Sequence, residues 1–397
     1  MTKYDGAAGQ NWKFCVCLQR KALRNGEKME VKKILIVFGT RPEAIKMLPL
    51  VFELKKRKCF EVKICVTGQH KEMLSQVLDL FAIEPDHNLE VMRESQNLTE
   101  TLVKIQTGMA KVLEKEKPSI TLVHGDTLTA MATAVTCFLE HYAVGHVEAG
   151  LRTYKIGEPF PEEFDRRVVS LIAKYHFAPT QSARDNLMKE GIRENVYVTG
   201  NTSIDMFQYT VQETYTSIYL EEAKDKKLIL VTIHRRENWN APMENIFHAI
   251  QRVAEEYGDD ILILYPVHKN PKIRKAVNEI FINVQNVKLM EPLDVVEFHN
   301  IMSKAYLIVT DSGGIQEEAP YFDKPVLVAR NVTERPEGIE AGTLKLIGTE
   351  EESVYQGIRD LLENDDMYME MSKASNPYGD GTASIKIANI LEEELYE

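Results

Sequence analysis

From Val31 onward, short β-branched runs alternate with segments of helical periodicity, the pattern of parallel strands joined by crossover helices. The sequence therefore predicts an α/β protein of two Rossmann-like, doubly wound lobes. Two further observations support this class. The alternation passes through two sets of about six strands, and 397 residues, at roughly 150 per domain, exceed what one core accommodates.

The first set of strands is expected at 33–38, 61–67, 119–123, 143–147, 175–178 and 196–199. The second is expected at 228–233, 261–266, 287–290, 307–310, 324–329 and 344–347. Residues 1–30 mix Gly, Lys, Asn and Glu without an apolar stretch, so they read as an N-terminal extension rather than a signal peptide or a packed element. The first lobe is placed at 31–205 and the second at 206–375, with the hinge in the polar, Tyr/Thr-rich stretch after Asp205. Residues 376–397 read as a Pro/Gly loop followed by a helix over 385–395 that returns across the hinge, with Ser384 as its expected N-cap.

Composition narrows the function. Sixty acidic against 48 basic residues leave a formal charge of −12. No Lys/Arg cluster interrupts this field, which argues against a nucleic-acid partner while leaving room for a small anionic ligand held locally. No apolar run approaches the roughly 20 residues that span a bilayer, so no membrane partner is expected. The five cysteines, Cys15, Cys17, Cys59, Cys65 and Cys137, lack metal-ligand spacing, and those beside apolar runs behave as small hydrophobes. A cytoplasmic location follows as an expectation.

Ligands in open α/β sheets sit beyond the carboxyl ends of the strands, and here those positions are polar. Gly39-Thr40-Arg41-Pro42-Glu43-Ala44-Ile45-Lys46 follows the first strand: a glycine turn, a proline suited to a helix start, and two cations, Arg41 and Lys46, where a helix N-terminus favours anions. Asp311-Ser312-Gly313-Gly314-Ile315-Gln316-Glu317-Glu318 follows a second-lobe strand. Its paired glycines allow backbone N–H groups to approach a diphosphate, Ser312 can donate, and Glu318 suits ribose hydroxyls. No G-x-G-x-x-G or G-x-x-x-x-G-K-[ST] fingerprint occurs, which disfavours a dinucleotide or nucleotide triphosphatase reading.

Carboxylates form a third group. Asp126 and Glu148 follow strands, and Glu162-Glu163 open a helix after Pro161. Crowded carboxylates raise one another's pKa, so one pocket can offer both a proton acceptor and a proton donor. The spacing also allows a purely electrostatic role, with Glu162–Arg166 and Glu163–Arg167 paired i,i+4 along the helix. In the second lobe, His234-Arg235-Arg236-Glu237-Asn238 and His268-Lys269-Asn270 make cationic turns. Two cationic turns opposed to three acidic ones suit a nucleotide sugar. No H-E-x-x-H or comparable ligand pair is present, so no metal is expected.

Phe38-Gly39-Thr40-Arg41-Pro42-Glu43, Thr67-Gly68-Gln69-His70, His124-Gly125-Asp126-Thr127, His146 to Thr153, Pro159 to Glu163, His234 to Asn238 and Asp311 to Pro320 together resemble the bacterial non-hydrolysing UDP-N-acetylglucosamine 2-epimerases. The resemblance covers nearly everything after residue 31. It implies a glycosyltransferase-B type fold with an interlobe cleft, UDP-N-acetylglucosamine and UDP as ligands, no cofactor, and a homodimer. The implied reaction inverts C2 by eliminating UDP to 2-acetamidoglucal and adding it back. By the same resemblance, Asp126, Glu148 and Glu162 are the acid/base carboxylates and His234 is the histidine near the diphosphate. Arg41, Lys46, Phe298, Ser312, Gly313, Gly314, Glu318 and Arg335 correspond to positions that contact UDP. Read by itself, Phe298 faces either a uracil or the interior.

A second UDP-N-acetylglucosamine site, found in some members, would involve Gln69, Glu162, Arg236 and His268. Glu72 and Ser95 stand where Gln and Arg are expected, which weakens attraction for a second diphosphate. Three alternatives remain at this stage: the hydrolysing branch, which releases N-acetylmannosamine and UDP; a glycosyltransferase of the same architecture; and a non-catalytic nucleotide-sugar sensor.

Overall fold

The computed structural model describes residues 30–68, 71–92 and 96–396. All but the last residue of the expected N-terminal extension lies outside the described residues. The chain forms two compact units, one ending at Met206 and regaining the chain at Gly381, the other comprising Phe207–Asp380.

The first unit is built on a seven-stranded sheet of order β3-β2-β1-β4-β5-β6-β7. The strands are β1 (Lys32–Phe38), β2 (Phe60–Val66), β3 (His87–Asn88), β4 (Ile120–His124), β5 (Val144–Val147), β6 (Tyr175–Ala178) and β7 (Val196–Val198). All neighbours are parallel, with Phe38 in register with Val66 on one side of β1 and Ile36 with Leu122 on the other. A parallel sheet is covered on both faces, which explains the unbroken apolar run of β1. Ile34, Ile36 and Phe38 pack with Leu48 and Leu54 of the Arg41–Lys55 helix. Leu35 and Val37 pack with Ile105, Met109 and Leu113 of the Leu98–Glu116 helix on the opposite face.

The two-residue β3 was not expected. Its residues His87 and Asn88 are polar, and it exists because they align beside Cys65 and Val66 of β2. Such a strand is set by its neighbour rather than by its own propensity.

The C-terminal helix Ala383–Tyr396 belongs to the first unit. Ile387, Ala388 and Leu391 join the cluster of Leu48 and Leu54. Buried Arg57 donates to Glu392 at 2.7 Å and to Asn389 at 2.7 Å. The expected Ser384 cap is corrected here. Ser384 lies inside the helix, and the start is held by Asp205, whose carboxylate accepts from the Ala383 N–H at 3.1 Å and the Ser384 N–H at 2.6 Å. A distant carboxylate thus does the work of a local cap, which spacing within the helix sequence does not reveal.

The second unit carries a six-stranded parallel sheet of order β10-β9-β8-β11-β12-β13. Its strands are β8 (Lys227–Thr232), β9 (Ile261–Pro266), β10 (Val287–Met290), β11 (Leu307–Thr310), β12 (Val326–Val328) and β13 (Leu344–Leu346). Ile229, Val231 and Val309 pack with Phe247 and Ile250 of the Ala241–Tyr257 helix and Leu361 of the Glu351–Glu363 helix. Both units are therefore Rossmann-like. Each has its switch in strand order at the centre, between β1 and β4 in the first and between β8 and β11 in the second. No helix among the described residues is long and apolar enough to cross a membrane.

Replacing Asp205 by Ala removes both acceptors at the C-terminal helix start. The expected loss is about 1–2 kcal/mol, read as a lower urea midpoint with unchanged slope; an unchanged midpoint contradicts the assigned cap.

Candidate active site

Each switch point brings together two of the motifs singled out in the sequence. In the first unit, the turn after β1 holds Gly39-Thr40-Arg41 and the turn after β4 holds Gly125-Asp126. Thr40 caps the Arg41–Lys55 helix by accepting from the Glu43 N–H, while Glu43 reaches back to the Thr40 N–H at 2.8 Å, a reciprocal capping box. Glu43 also accepts from the Gly39 N–H at 3.0 Å and from the Thr127 hydroxyl at 2.7 Å. One buried carboxyl therefore ties the two turns together. Burial pushes it up to about 7, against the hydrogen bonds from Thr127, Gly39 and Thr40. Gly39 admits no side chain, since a Cβ there would lie 2.2 Å from the Thr67 hydroxyl oxygen.

The predicted acids occupy distinct environments. Glu148 sits just past β5 with φ +64°, a conformation rare for a long side chain and tolerated where surroundings impose it. Its carboxylate pairs with Lys46 and accepts from the Asn201 side chain at 3.3 Å. The His124 Nε2 lies 3.6 Å away. Lys46, expected among the UDP contacts, is therefore the counter-ion of Glu148. Asp126 pairs with Arg166 of the Glu162–Ile172 helix.

The expected i,i+4 pairs along that helix are not what forms. Arg166 reaches Asp126 and Glu163, the latter three residues away at 3.4 Å, and Arg167 lies 3.7 Å from Glu190. The reason is burial: Glu163 is fully enclosed and accepts from the N–H groups of Thr153 at 3.0 Å and Tyr154 at 3.2 Å. Glu163 is thus an anchor for the 153–154 turn. Glu162 has a buried carboxyl oxygen with no hydrogen-bond partner among the described residues.

In the second unit the organiser is Asp311, fully buried at the end of β11. Its carboxylate accepts from the N–H groups of His234 at 3.0 Å and Arg235 at 2.9 Å and from the Asn238 side chain at 3.0 Å. This fixes the turn after β8, leaving His234 exposed with its ring stacked on His268 at 5.8 Å. The helix Gly313–Glu318 starts beside it, after Ser312, whose hydroxyl makes no capping bond. A Cβ on Gly313 would lie 3.3 Å from the Arg235 guanidinium and 3.4 Å from that of Arg335. Two cations thus converge on the glycine pair, suiting a diphosphate. Arg335 is oriented by Glu317 at 2.7 Å.

Gly314 is half-buried, and no atom lies within 4 Å of where its Cβ would be. Glu318 lies 4.0 Å from His299 Nε2, while Phe298 and Arg41 are half-buried on their helices. Of the second-site candidates, Gln69 lies outside the described residues, as do Ser95 and the side chains of Glu72 and Arg236; His268 is exposed.

Several participants were missed in the sequence reading. Arg235 was read only as part of a cationic turn, and Asp311 only as the residue preceding Ser312. The pairing of Arg166 with Asp126 joins residues 40 apart, beyond any local spacing rule. Glu43 had a usable signal, the Thr40-x-x-Glu43 capping-box pattern.

Two Rossmann-like units, each with charged residues gathered at its switch point, define a class by fold, the glycosyltransferase-B type. At the level of fold alone, a glycotransferase of kitacinnamycin at 12% identity aligns with a TM-score of 0.64 over 92% of this chain and 100% of its own. The chain belongs to the UDP-N-acetylglucosamine 2-epimerase family, whose model matches residues 52–392, and it is accordingly an isomerase. It is 51% identical to the UDP-N-acetylglucosamine 2-epimerase of Bacillus subtilis, over 93% of this chain and 96% of the relative. Identity to that of Escherichia coli K12 is 47%, over 91% and 98%. A structure of S. aureus MnaA with UDP aligns at TM-score 0.85, 49% identity, covering 92% and 97%. One of the Neisseria meningitidis enzyme bound to UDP-GlcNAc aligns at 0.84, 43% identity, covering 91% and 100%.

Burial holds His124, His146 and His176 down at about 4, 3 and 4. Their folded values lie below the ordinary 6.5, so the unfolded chain binds more protons between them. The stability they contribute is complete above pH 6.5 and is lost as pH falls through the folded values. Glu43, raised to about 7, runs oppositely, losing its contribution as pH rises from 4.5. His146→Asn is therefore expected to flatten the rise of unfolding free energy between pH 4 and 6 by about 1.4 kcal/mol per unit, measured by urea unfolding across that range. Parallel curves for variant and parent contradict it.

Proposed function

We propose that the chain interconverts UDP-N-acetylglucosamine and UDP-N-acetylmannosamine by inversion at C2. A carboxylate of the first unit takes the C2 proton as the C1–oxygen bond breaks. The bonding pair leaves with the diphosphate, giving UDP and 2-acetamidoglucal. A carboxylic acid then delivers a proton to the opposite face of C2, and the diphosphate oxygen adds back to C1. Atoms balance without an external oxidant, since one carboxyl group gains a proton and another gives one up.

The observation that carries this reading is the division of labour between the two switch points. Asp126, Glu148 and Glu162 gather acid/base capacity in one unit, while Arg235 and Arg335 converge on Gly313 in the other. Proton transfer at carbon needs the first, and a departing diphosphate needs the second. His234, presented from the turn that Asp311 holds, is assigned to the diphosphate. Arg41, Ser312, Gly314 and Glu318 are assigned to the nucleotide, and Phe298 to the uracil. That a relative is titled as bound to UDP-GlcNAc supports the choice of substrate.

The reading extends to assembly and location. Phe138, Leu139, Phe164 and Leu171 are exposed apolar residues on the Leu128–Leu139 and Glu162–Ile172 helices, a surface of the kind that pairs copies. This supports a homodimer. The buried free thiols of Cys59, Cys65 and Cys137 support a reducing cytoplasm.

Incubation with UDP-N-acetylglucosamine in D2O tests the chemistry. The parent chain should place deuterium at C2 and yield UDP-N-acetylmannosamine. Asp126→Asn, Glu148→Gln and Glu162→Gln should each lose about 100-fold or more in rate with folding intact. Free N-acetylmannosamine released in step with UDP would assign the hydrolysing reaction instead. Near-parental exchange in all three variants would remove the acid/base assignment.

A further inference from the structure

The Glu162–Ile172 helix carries two acids that the proposed reaction does not use: Glu163, which anchors the 153–154 turn, and Asp165. Asp165 is 1% exposed, and neither of its carboxyl oxygens has a hydrogen-bond partner among the described residues. It lies three residues after Glu162, on the same face of the helix. The neighbouring Arg166 directs its guanidinium to Asp126 and Glu163. Two carboxyl groups, Asp126 and Glu163, thus meet the one guanidinium, while Asp165 feels the charges of Asp126, Glu162 and Arg166 without a bond to any of them.

We propose that Asp165 is a positioning residue of the epimerase site, a neutral carboxylic acid whose proton limits the negative charge beside Asp126 and Glu162. The inference rests on the function proposed above and concerns how that site is kept in working charge.

An ionised carboxylate buried without a partner costs several kcal/mol, and such a group keeps its proton instead. Burial first, then the charges of Asp126 and Glu162, push Asp165 up to about 7, with Arg166 opposing. The groups facing it from neighbouring elements do not alter this balance. The Leu128–Leu139 helix carries no charged side chain. His146 of β5 is neutral, its value held down at about 3 by burial. The turn after β4 contributes Asp126, whose charge Arg166 already meets.

The functional consequence follows from sign. Below its folded value Asp165 is neutral, and Arg166 serves Asp126 and Glu163. Above it, a further negative charge with no cation to meet it appears where an anionic nucleotide sugar must bind and lose a proton from carbon. Coulomb repulsion then opposes both steps. Asp165 touches neither reacting atom in this account; it acts through the charge of its neighbours.

Two measurements test this. In protein labelled with 13C at aspartate carboxyls, one buried Asp should titrate near pH 7, and that resonance should vanish in Asp165→Asn; absence of any aspartate titrating between about pH 6 and 8 overturns the proposal in the parent protein alone. The second is the pH profile of C2 deuterium exchange. The parent should lose kcat/KM above neutrality, whereas Asp165→Asn, a neutral isostere, should match it within about threefold at pH 6 and exceed it about tenfold at pH 8.5. Asp165→Leu should show the same loss of the alkaline limb, which a merely structural carboxyl would not explain. Superimposable profiles, or loss of exchange by Asp165→Asn at every pH with folding intact, overturn the proposal. If the parent exchanges no C2 proton at any pH while the resonance titrates as expected, the epimerase reading has failed and the ionisation of Asp165 has not.

Discussion

Carboxylates at the carboxyl edge of the first sheet are held by fixed cations. Lys46 comes from the helix after β1 and Arg166 from the helix opened by Glu162; they meet Glu148 and Asp126 respectively. Both cations ride on helices packed against the sheet, so their positions are set by apolar burial rather than by the ion pairs themselves. Loss of one partner would leave the other as an uncompensated charge in a largely enclosed setting, which is more damaging than the pair is stabilising. The arrangement thus joins fold and function: the Leu48 and Leu54 packing that seats the Arg41–Lys55 helix also delivers Lys46 to Glu148.

The second unit solves the complementary problem with one buried acid. Asp311 gathers two backbone N–H groups and one side-chain amide from the turn after β8. That turn presents His234 and Arg235 beside the glycines that follow Asp311 itself. Glu317 orients Arg335 on the other side. Fixed donors of this kind need no reorganisation to receive the diphosphate that the proposed reaction releases, and such preorganisation is a large part of electrostatic catalysis. The two units share one topology with opposite polarity at their switch points. A doubly wound sheet supplies the location, and the residues at strand ends supply the chemistry.

Much of the fold could be read in advance because parallel strands buried on both faces carry unbroken apolar runs, as β1 does over Ile34–Phe38 and β8 over Leu228–Val231, and because their helices begin at Gly, Pro and capping residues. What escaped was whatever depends on distant partners. β3 is polar and exists only beside β2. Asp205 caps a helix that starts 178 residues further on, so Ser384 was the reasonable local choice. At the site, Asp126, Glu148 and Glu162 stood out as acids after strands or at a helix start. Their partners did not: helical spacing allowed a pairing of Arg166 with Glu162, yet its guanidinium goes to Asp126 and Glu163. Lys46 read as an anion-binding cation, and its pairing with Glu148 in the folded chain was not legible from spacing. Glu163 and Glu162 were indistinguishable neighbours until hydrogen bonding separated an anchor, Glu163, from an acid with an unpartnered oxygen, Glu162.

The most direct test of this account is a structure of the chain with UDP-N-acetylglucosamine bound. The account requires the sugar C2 to lie within roughly 3–3.5 Å of carboxyl oxygens from among Asp126, Glu148 and Glu162, with the diphosphate on Arg235, Arg335 and the Gly313-Gly314 backbone. A complex in which the hexose ring is remote from all three acids, or the diphosphate lies away from that glycine pair, would contradict it.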